Sequence, residues 1–328
     1  MKYIKITIYK ICIFISFYTY SYMAISNENN EYNEWLIDLR IESINQGISV
    51  DVFDQAMQTV KIIEKVKQLD TKQPEKTISF NDYLLRSVSK NRIESGKILY
   101  KKFEKELKQV SEFYQVQPRF IVAIWGIETN YGSYTGNFSV ISSLTTLAYK
   151  GRRSSFFRKQ LIAALHILNN GDISLEKMTG SWAGAMGQSQ FMPTSYLEYA
   201  QDFNNDGKKD IWNDHLDIFA SIAHYLKSHG WDNSRTWGRE VIIPNNLLKE
   251  ENFSEWKNKS LKFWSDKNIK MKNSNNLPYI SLKANLLLPN KDNNKAFLVY
   301  DNFNKIKKYN NSNYYALSVG VLSDRIKN

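Results

Sequence analysis

Between residues 33 and 228 apolar residues recur at helical spacing, and after Trp237 that spacing gives way to short aliphatic runs broken by Asn, Asp, Lys and Pro. A chain patterned this way builds a helical core and adds its sheet late, as a smaller part. Trp35, Leu36, Leu39 and Ile44 mark a first helix over 33–46 that Gly47 stops. Ser49 caps a second, with Val52, Phe53, Ala56, Met57 and Val60 behind it. Lys72-Gln73-Pro74 breaks the pattern. Residues 92–114 form one long amphipathic helix through Ile98, Leu99, Phe103, Leu107, Val110 and Phe113, and Pro118 suits the first turn of the next. Further helices cover 163–169 and 216–228, stopped by Gly171 and Gly230, and 314–326 closes the chain. Val241–Ile243, Ala284–Leu288 and Phe297–Tyr300 have the composition of strands. The expected class is mainly α (α+β).

With 328 residues, 42% of them apolar, the chain can bury a sizeable core. Forty-four Lys and Arg against 33 Asp and Glu leave +11, which favours an anionic partner. Lys2, Lys5 and Lys10 precede the apolar run Ile11–Tyr18, and Ala24 and Ser26 stand at a −3/−1 pair. That is the pattern of a secretory signal peptide over 1–26. Export puts the mature chain outside the cytoplasm, tethered to the membrane if the signal stays uncleaved. Its removal lowers +11 to +8 and takes away Cys12, the one cysteine, so neither an internal disulfide nor a cysteine metal cluster is expected. Tyr9-Lys10-Ile11 before Cys12 lacks the small residues of a lipidation site, so no acyl anchor is expected either. No motif supports a nucleic-acid partner.

One carboxylate stands among apolar residues. In Phe120-Ile-Val-Ala-Ile-Trp-Gly-Ile-Glu128, positions 120, 124 and 128 lie one helical turn apart, so Glu128 shares a stripe with Phe120 and Ile124. Desolvation there would raise its pKa and keep it protonated near neutral pH, ready to act as a general acid. A helix-end Glu paired with an Arg or a backbone N–H fits the same spacing. Thr129-Asn130-Tyr131-Gly132 follows, with Gly132 as the expected left-handed terminator. Arg152-Arg153 form a pair able to bind carboxylates bidentately. Gly180-Ser-Trp-Ala-Gly-Ala-Met-Gly-Gln-Ser-Gln-Phe-Met-Pro193 combines small residues, which let a ligand approach the backbone, with Ser181, Gln190 and Phe191 as hydroxyl, amide and ring. That mixture suits a sugar, and a small-residue helix packed closely on a neighbour would use the same glycines.

The segments Trp125-Gly-Ile-Glu-Thr-Asn-Tyr-Gly132, Gly180–Pro193 and Asp210-Ile-Trp-Asn213 together resemble the membrane-bound lytic murein transglycosylase B family, glycoside hydrolase family 103. The resemblance runs from about residue 33 to the C-terminus. It implies a lysozyme-like fold: an N-terminal helical domain over 27–115, a catalytic core over 116–236, a β-rich subdomain over 237–305 and a C-terminal segment, 306–328, returning to the core. It implies a periplasmic enzyme that cleaves the β-1,4 bond between N-acetylmuramic acid and N-acetylglucosamine of peptidoglycan and leaves 1,6-anhydromuramoyl ends. Glu128 would be acid and then base, with Ser181, Gln190, Phe191, Tyr225, Tyr309, Asn310 and Tyr315 lining the cleft, and Tyr83 matching on fewer landmarks. Arg152 and Arg153 would meet the lactyl and peptide carboxylates. A muramidase-type hydrolase of this fold, or a non-catalytic peptidoglycan-binding protein, stays open beside that reading.

Asp202, Asn204 and Asp206 stand at positions 1, 3 and 5 of a calcium-type loop, with Gly207 at 6, the Lys208 carbonyl at 7 and Asp210 at 9; position 12 is Asn213 rather than Glu. By resemblance the later Asp217 would complete a structural calcium site. The alternative is an Asx-rich turn held by its own hydrogen bonds. The chemistry itself needs no cofactor, and the expected partners are glycan strands, other cell-wall enzymes and no second copy of the chain.

Overall fold

The computed structural model describes residues 30–71, 78–244, 247, 256–289 and 295–327. The expected signal segment with Cys12 and the break at 72–74 lie outside the described residues. Helix α1 covers residues 30–45 and ends at Gly47 with φ +90°. Ser49 caps α2 (Val50–Gln58), its hydroxyl accepting from the Val52 N–H. These helices, α3 (Glu64–Thr71), α8 (Val140–Lys150), α9 (Ser154–Asn169) and α10 (Pro193–Tyr199) close over one apolar cluster that includes Leu39, Phe53, Leu144 and Leu165.

A second cluster sits among α4 (Phe80–Ser87), α5 (Lys90–Lys102), α6 (Glu104–Tyr114), α7 (Pro118–Thr129), α11 (His215–Ser228), α13 (Asp301–Tyr309) and α14 (Asn313–Lys327). Helix α7 is its axis: every residue from Phe120 to Gly126 is buried. A helix apolar all round must be surrounded, and α14, α5, α6 and α11 surround it.

The single helix expected over 92–114 is two. Phe103, at φ −102° and ψ 27°, ends α5 and starts α6. The bend carries the Phe103 ring onto His215 (4.3 Å between centroids) and against Trp125 and Phe219. It leaves Ile98 and Phe113, both expected inside, 68% and 69% exposed.

Strands β1 (Phe138–Ser139) and β2 (Thr179–Gly180) make a small antiparallel pair. The larger sheet is antiparallel in the order β4-β6-β7-β3-β5, from β3 (Gly238–Ile242), β4 (Lys259–Ser260), β5 (Lys270–Met271), β6 (Lys283–Leu287) and β7 (Ala296–Val299), with α12 (Leu261–Asp266) beside it. All four residues of β7 are buried: Phe297 and Val299 join the helical cluster, while Ala296 and Leu298 join the sheet's own cluster around Trp264. Alternation along one strand therefore bonds sheet to helices.

Candidate active site

Glu128 occupies the last turn of α7, half-buried where the helix leaves the core. Phe120 and Ile124 below it are fully buried, but so is the rest of α7; what distinguishes Glu128 is its place at the helix end rather than a single apolar stripe. The chain then turns through three consecutive left-handed residues, Asn130 (φ 50°), Tyr131 (φ 61°) and Gly132 (φ 80°). Asn130, not Gly132, is the first terminator, its N–H donating to the Gly126 carbonyl. A left-handed Tyr costs about 1–2 kcal/mol. Packing holds it there: the ring lies against Gly126, where a Cβ would sit 2.6 Å from it, and its hydroxyl donates to the Arg92 carbonyl at 2.7 Å.

The segment after β2 locks onto this turn. Gln188 accepts from Trp125 Nε1 at 2.7 Å through Oε1 and donates through Nε2 to the Trp212 carbonyl at 2.7 Å. Thr129 Oγ1 donates to the Gln188 carbonyl at 3.0 Å and accepts from the Gly132 N–H at 3.0 Å. A Cβ on Gly132 would collide with the Gln188 amide. Gln188 lies inside the Gly180–Pro193 segment, and the glycines crowded around it were the only mark of its role in the sequence.

Tyrosines wall the carboxyl. Tyr315, from α14, donates its hydroxyl to Glu128 Oε1 at 2.6 Å. Tyr309, from α13, donates to the Ser189 carbonyl at 2.6 Å and stacks 6.5 Å from Tyr315. Tyr225, from α11, packs 4.8 Å from Tyr309 and donates to the Lys308 carbonyl at 2.6 Å. Tyr83 touches Tyr314 (5.7 Å) and lies close enough to Tyr315 to act on its ionisation. Burial pushes the Glu128 pKa up to about 7, with the Tyr315 hydrogen bond opposing part of that rise. Burial and the neighbouring carboxylate hold the phenols of Tyr315 and Tyr309 well above their usual value, so both remain neutral donors. Beside the turn, a cavity of about 770 Å³ is lined by Gly132, Thr135, Gln188, Asp172, Trp212 and Asn213.

Other expected site residues are placed differently. Phe191 is 2% exposed and packs on Tyr225 and Tyr309, so its ring supports the tyrosines and offers no face to a sugar. Ser181 Oγ accepts from the Ala185 N–H at 3.0 Å, tightening its own turn. Gln190, at φ 50°, donates its amide to the carbonyls of Thr135 and Gly187. Asn310 is exposed at the end of α13. Arg152 does not pair with Arg153 as a carboxylate fork: it donates to the Asp70 carbonyl at 2.6 Å, near the Asp70 carboxylate, while Arg153 lies over the rings of Phe156 and Phe157.

The expected calcium ligands are engaged in hydrogen bonds within their own loop. Among the described residues no three His, Cys, Asp or Glu gather as a metal site. Asp217 is fully buried and accepts backbone N–H bonds from Phe203 and Asp210 at 2.8 Å each; burial still raises it to about 6. Asp202 accepts from the N–H groups of Asp206 and Gly207. Asn204 donates its amide N–H groups to Asp206 and Asp214, and its Oδ1 accepts from the Asp206 N–H at 2.9 Å. As folded, Asp202, Asn204, Asp206, Lys208 and Asp217 close a hydrogen-bonded turn.

The structure matches that of SltB3 from Pseudomonas aeruginosa in complex with NAG-anhNAM-pentapeptide, with a TM-score of 0.85 and 42% identity, covering 90% of this chain and 79% of that one. It also matches the Escherichia coli lytic transglycosylase Slt35 in complex with calcium, at TM-score 0.76 and 25% identity over 89% and 92% of the two chains. The fold is thus the mainly helical, lysozyme-like fold of these lytic transglycosylases. The family description "Transglycosylase SLT domain" fits residues 31–324, and the chain belongs to that family. Membrane-bound lytic murein transglycosylase B of Escherichia coli (strain K12) is 35% identical over 150 residues; that stretch is 45% of this chain and spans only 41% of the relative's length.

Proposed function

We propose that this protein is a lytic transglycosylase of peptidoglycan that cleaves the β-1,4 bond between N-acetylmuramic acid and N-acetylglucosamine and leaves a 1,6-anhydromuramoyl end. The observation that carries the reading is Glu128: a carboxyl raised to about 7 at a helix end, hydrogen-bonded at 2.6 Å by a neutral tyrosine. Protonated, it gives its proton to the departing glycosidic oxygen as the bond to the anomeric carbon breaks. The substrate's N-acetyl oxygen supports the positive charge developing at that carbon. The C6 hydroxyl of the same sugar then bonds to the anomeric carbon, and its proton returns to Glu128. One residue serves both halves, where an ordinary glycosidase uses two carboxylates. Family membership and SltB3's capture with a muropeptide support the substrate class.

By resemblance Ser181, Asn310 and Tyr83 remain the glycan contacts of this reading, with Tyr225, Tyr309 and Tyr315 shaping the wall and Glu128 its acid. The chain works in the periplasm after export by its first 26 residues, which N-terminal sequencing of the exported protein tests. Zymography on murein with wild type and Glu128→Gln tests the activity: Glu128→Gln loses about a hundred- to ten-thousandfold, and a variant that clears the gel like wild type overturns the assignment. Mass analysis of the products tests the route. A transglycosylase product is lighter by one water than the product of a hydrolase, and a product carrying that water identifies a muramidase instead.

A further inference from the structure

From a cationic cavity at the opposite end of α7 from Glu128, we infer a second binding site, one that takes a peptide bearing two or more carboxylates. The cavity holds about 430 Å³ between the start of α7, the segment leading into β3 and the turn before β6. That is ample for a short peptide. Along α7, Arg119 and Glu128 are nine residues apart, about 14 Å at helical rise, so the cavity is separate from the tyrosine-walled site.

Four cations face it: Arg119, Arg235, Arg239 and Lys327. Two of the four, Arg119 and Arg235, have a carboxylate partner, and the other two have none among the described residues. Arg119 is ion-paired with Asp324 and also donates to Thr236 Oγ1 at 3.0 Å, while Asp324 is shared with Trp237 Nε1. Arg235 reaches Asp232 only at 3.8 Å, across a half-exposed gap. Arg239 donates to two neutral atoms, Tyr300 Oη at 2.6 Å and Met271 Sδ at 3.1 Å. Among the described residues no carboxylate pairs with Arg239 or with Lys327.

A guanidinium carries five N–H donors in a fork matched to a carboxylate, and Arg239 has spent two. Tyr300 is 2% exposed and accepts from Arg239, which leaves its own hydroxyl proton to donate into the cavity. The N-terminus of α7 has no side-chain cap, and its dipole adds to the positive field. Pro118, Ile280 and Leu282 complete the wall. Apolar carbon beside separated cations suits a ligand with an aliphatic body and spaced carboxylates better than a compact inorganic anion. The choice of a wall stem peptide as that ligand rests on the murein reading above. A neighbouring stem held here would keep the enzyme on the polymer while Glu128 acts on another strand.

The test is saturation binding of a fluorophore-labelled, sugar-free stem tripeptide with two free carboxylates to the full chain, with pyrophosphate as competitor and murein clearing measured in parallel. Wild type and Glu128→Gln should bind equally. Arg235→Gln should weaken binding about tenfold and Arg235→Gln with Arg239→Gln about a hundredfold, as expected when charge-assisted hydrogen bonds are lost. Arg239 packs against buried Tyr300, so Lys327→Gln, on an exposed position, supplies a variant safe for folding, with a loss of about threefold. Absence of saturable binding, binding that ignores these variants, or pyrophosphate that competes more tightly than unlabelled peptide would each overturn the inference. Clearing of murein without peptide binding removes this site alone. Peptide binding without clearing removes the proposed activity and leaves the site.

Discussion

At the scale of single residues, Glu128 carries a cost that can be measured apart from catalysis. Its folded pKa, about 7, lies above the ordinary 4.5, so the folded state binds more protons than the unfolded state between those values and loses stability as pH rises through them. Glu128→Gln should therefore melt a few degrees higher than wild type above pH 7 and at the same temperature below about pH 4.5. Thermal scans across that range check it, and a gap that does not change with pH would contradict the assignment. Tyr315 acts in the opposite direction, because its hydroxyl stabilises the carboxylate form. Tyr315→Phe should raise the Glu128 pKa further and move the alkaline limb of a murein-cleavage pH profile upward. A limb that stays in place or moves down would show that the hydrogen bond does not set it.

At the scale of elements, the bend at Phe103 decides which apolar residues matter. Ile98→Gln should change stability by no more than about 0.5 kcal/mol, whereas Leu107→Ala, on the buried face of α6, should cost about 2–5 kcal/mol. Urea titration of both variants checks the pair. The loop over 202–217 makes a second claim at this scale, since its carboxylates are already spent on backbone N–H groups. EDTA-treated protein should give no binding heat with millimolar calcium, and saturable heat would mean that Asn204 and Asp217 rearrange around the ion. The bend departs from its sequence pattern, and the loop keeps an ambiguity its sequence already held, each for a physical reason. A kink without Pro or Gly leaves helical periodicity intact, and a calcium loop and an Asx turn draw on the same residue types.

At the scale of the whole molecule, β7 joins the sheet to the helical core through Phe297 and Val299 on one face and Ala296 and Leu298 on the other. Phe297→Ala should cost about 3–5 kcal/mol, felt by both parts. If chemical unfolding followed at Trp264 beside the sheet and by helical signal separates into two transitions only in that variant, Phe297 is the coupling; unchanged, coincident transitions would place the coupling elsewhere.

The positions of Gly47, Ser49, Pro118, Gly171 and Gly230 at helix ends were legible in the sequence because capping and chain reversal are local, governed by a few neighbouring dihedrals. Glu128 stood out for the same reason, as a carboxylate inside an apolar stretch. The tertiary structure alone decided what surrounds it. Tyr315 reaches Glu128 across 187 positions of sequence, and Gln188 ties α7 to Trp212 from a segment that otherwise looks like glycine-rich packing. Phe191 and Arg152 carry the residue types of a sugar platform and a carboxylate fork, yet long-range packing turned one inward and gave the other to Asp70. Side-chain chemistry is written residue by residue, but burial and partnership belong to pairs of distant segments, and only the folded chain brings those pairs together.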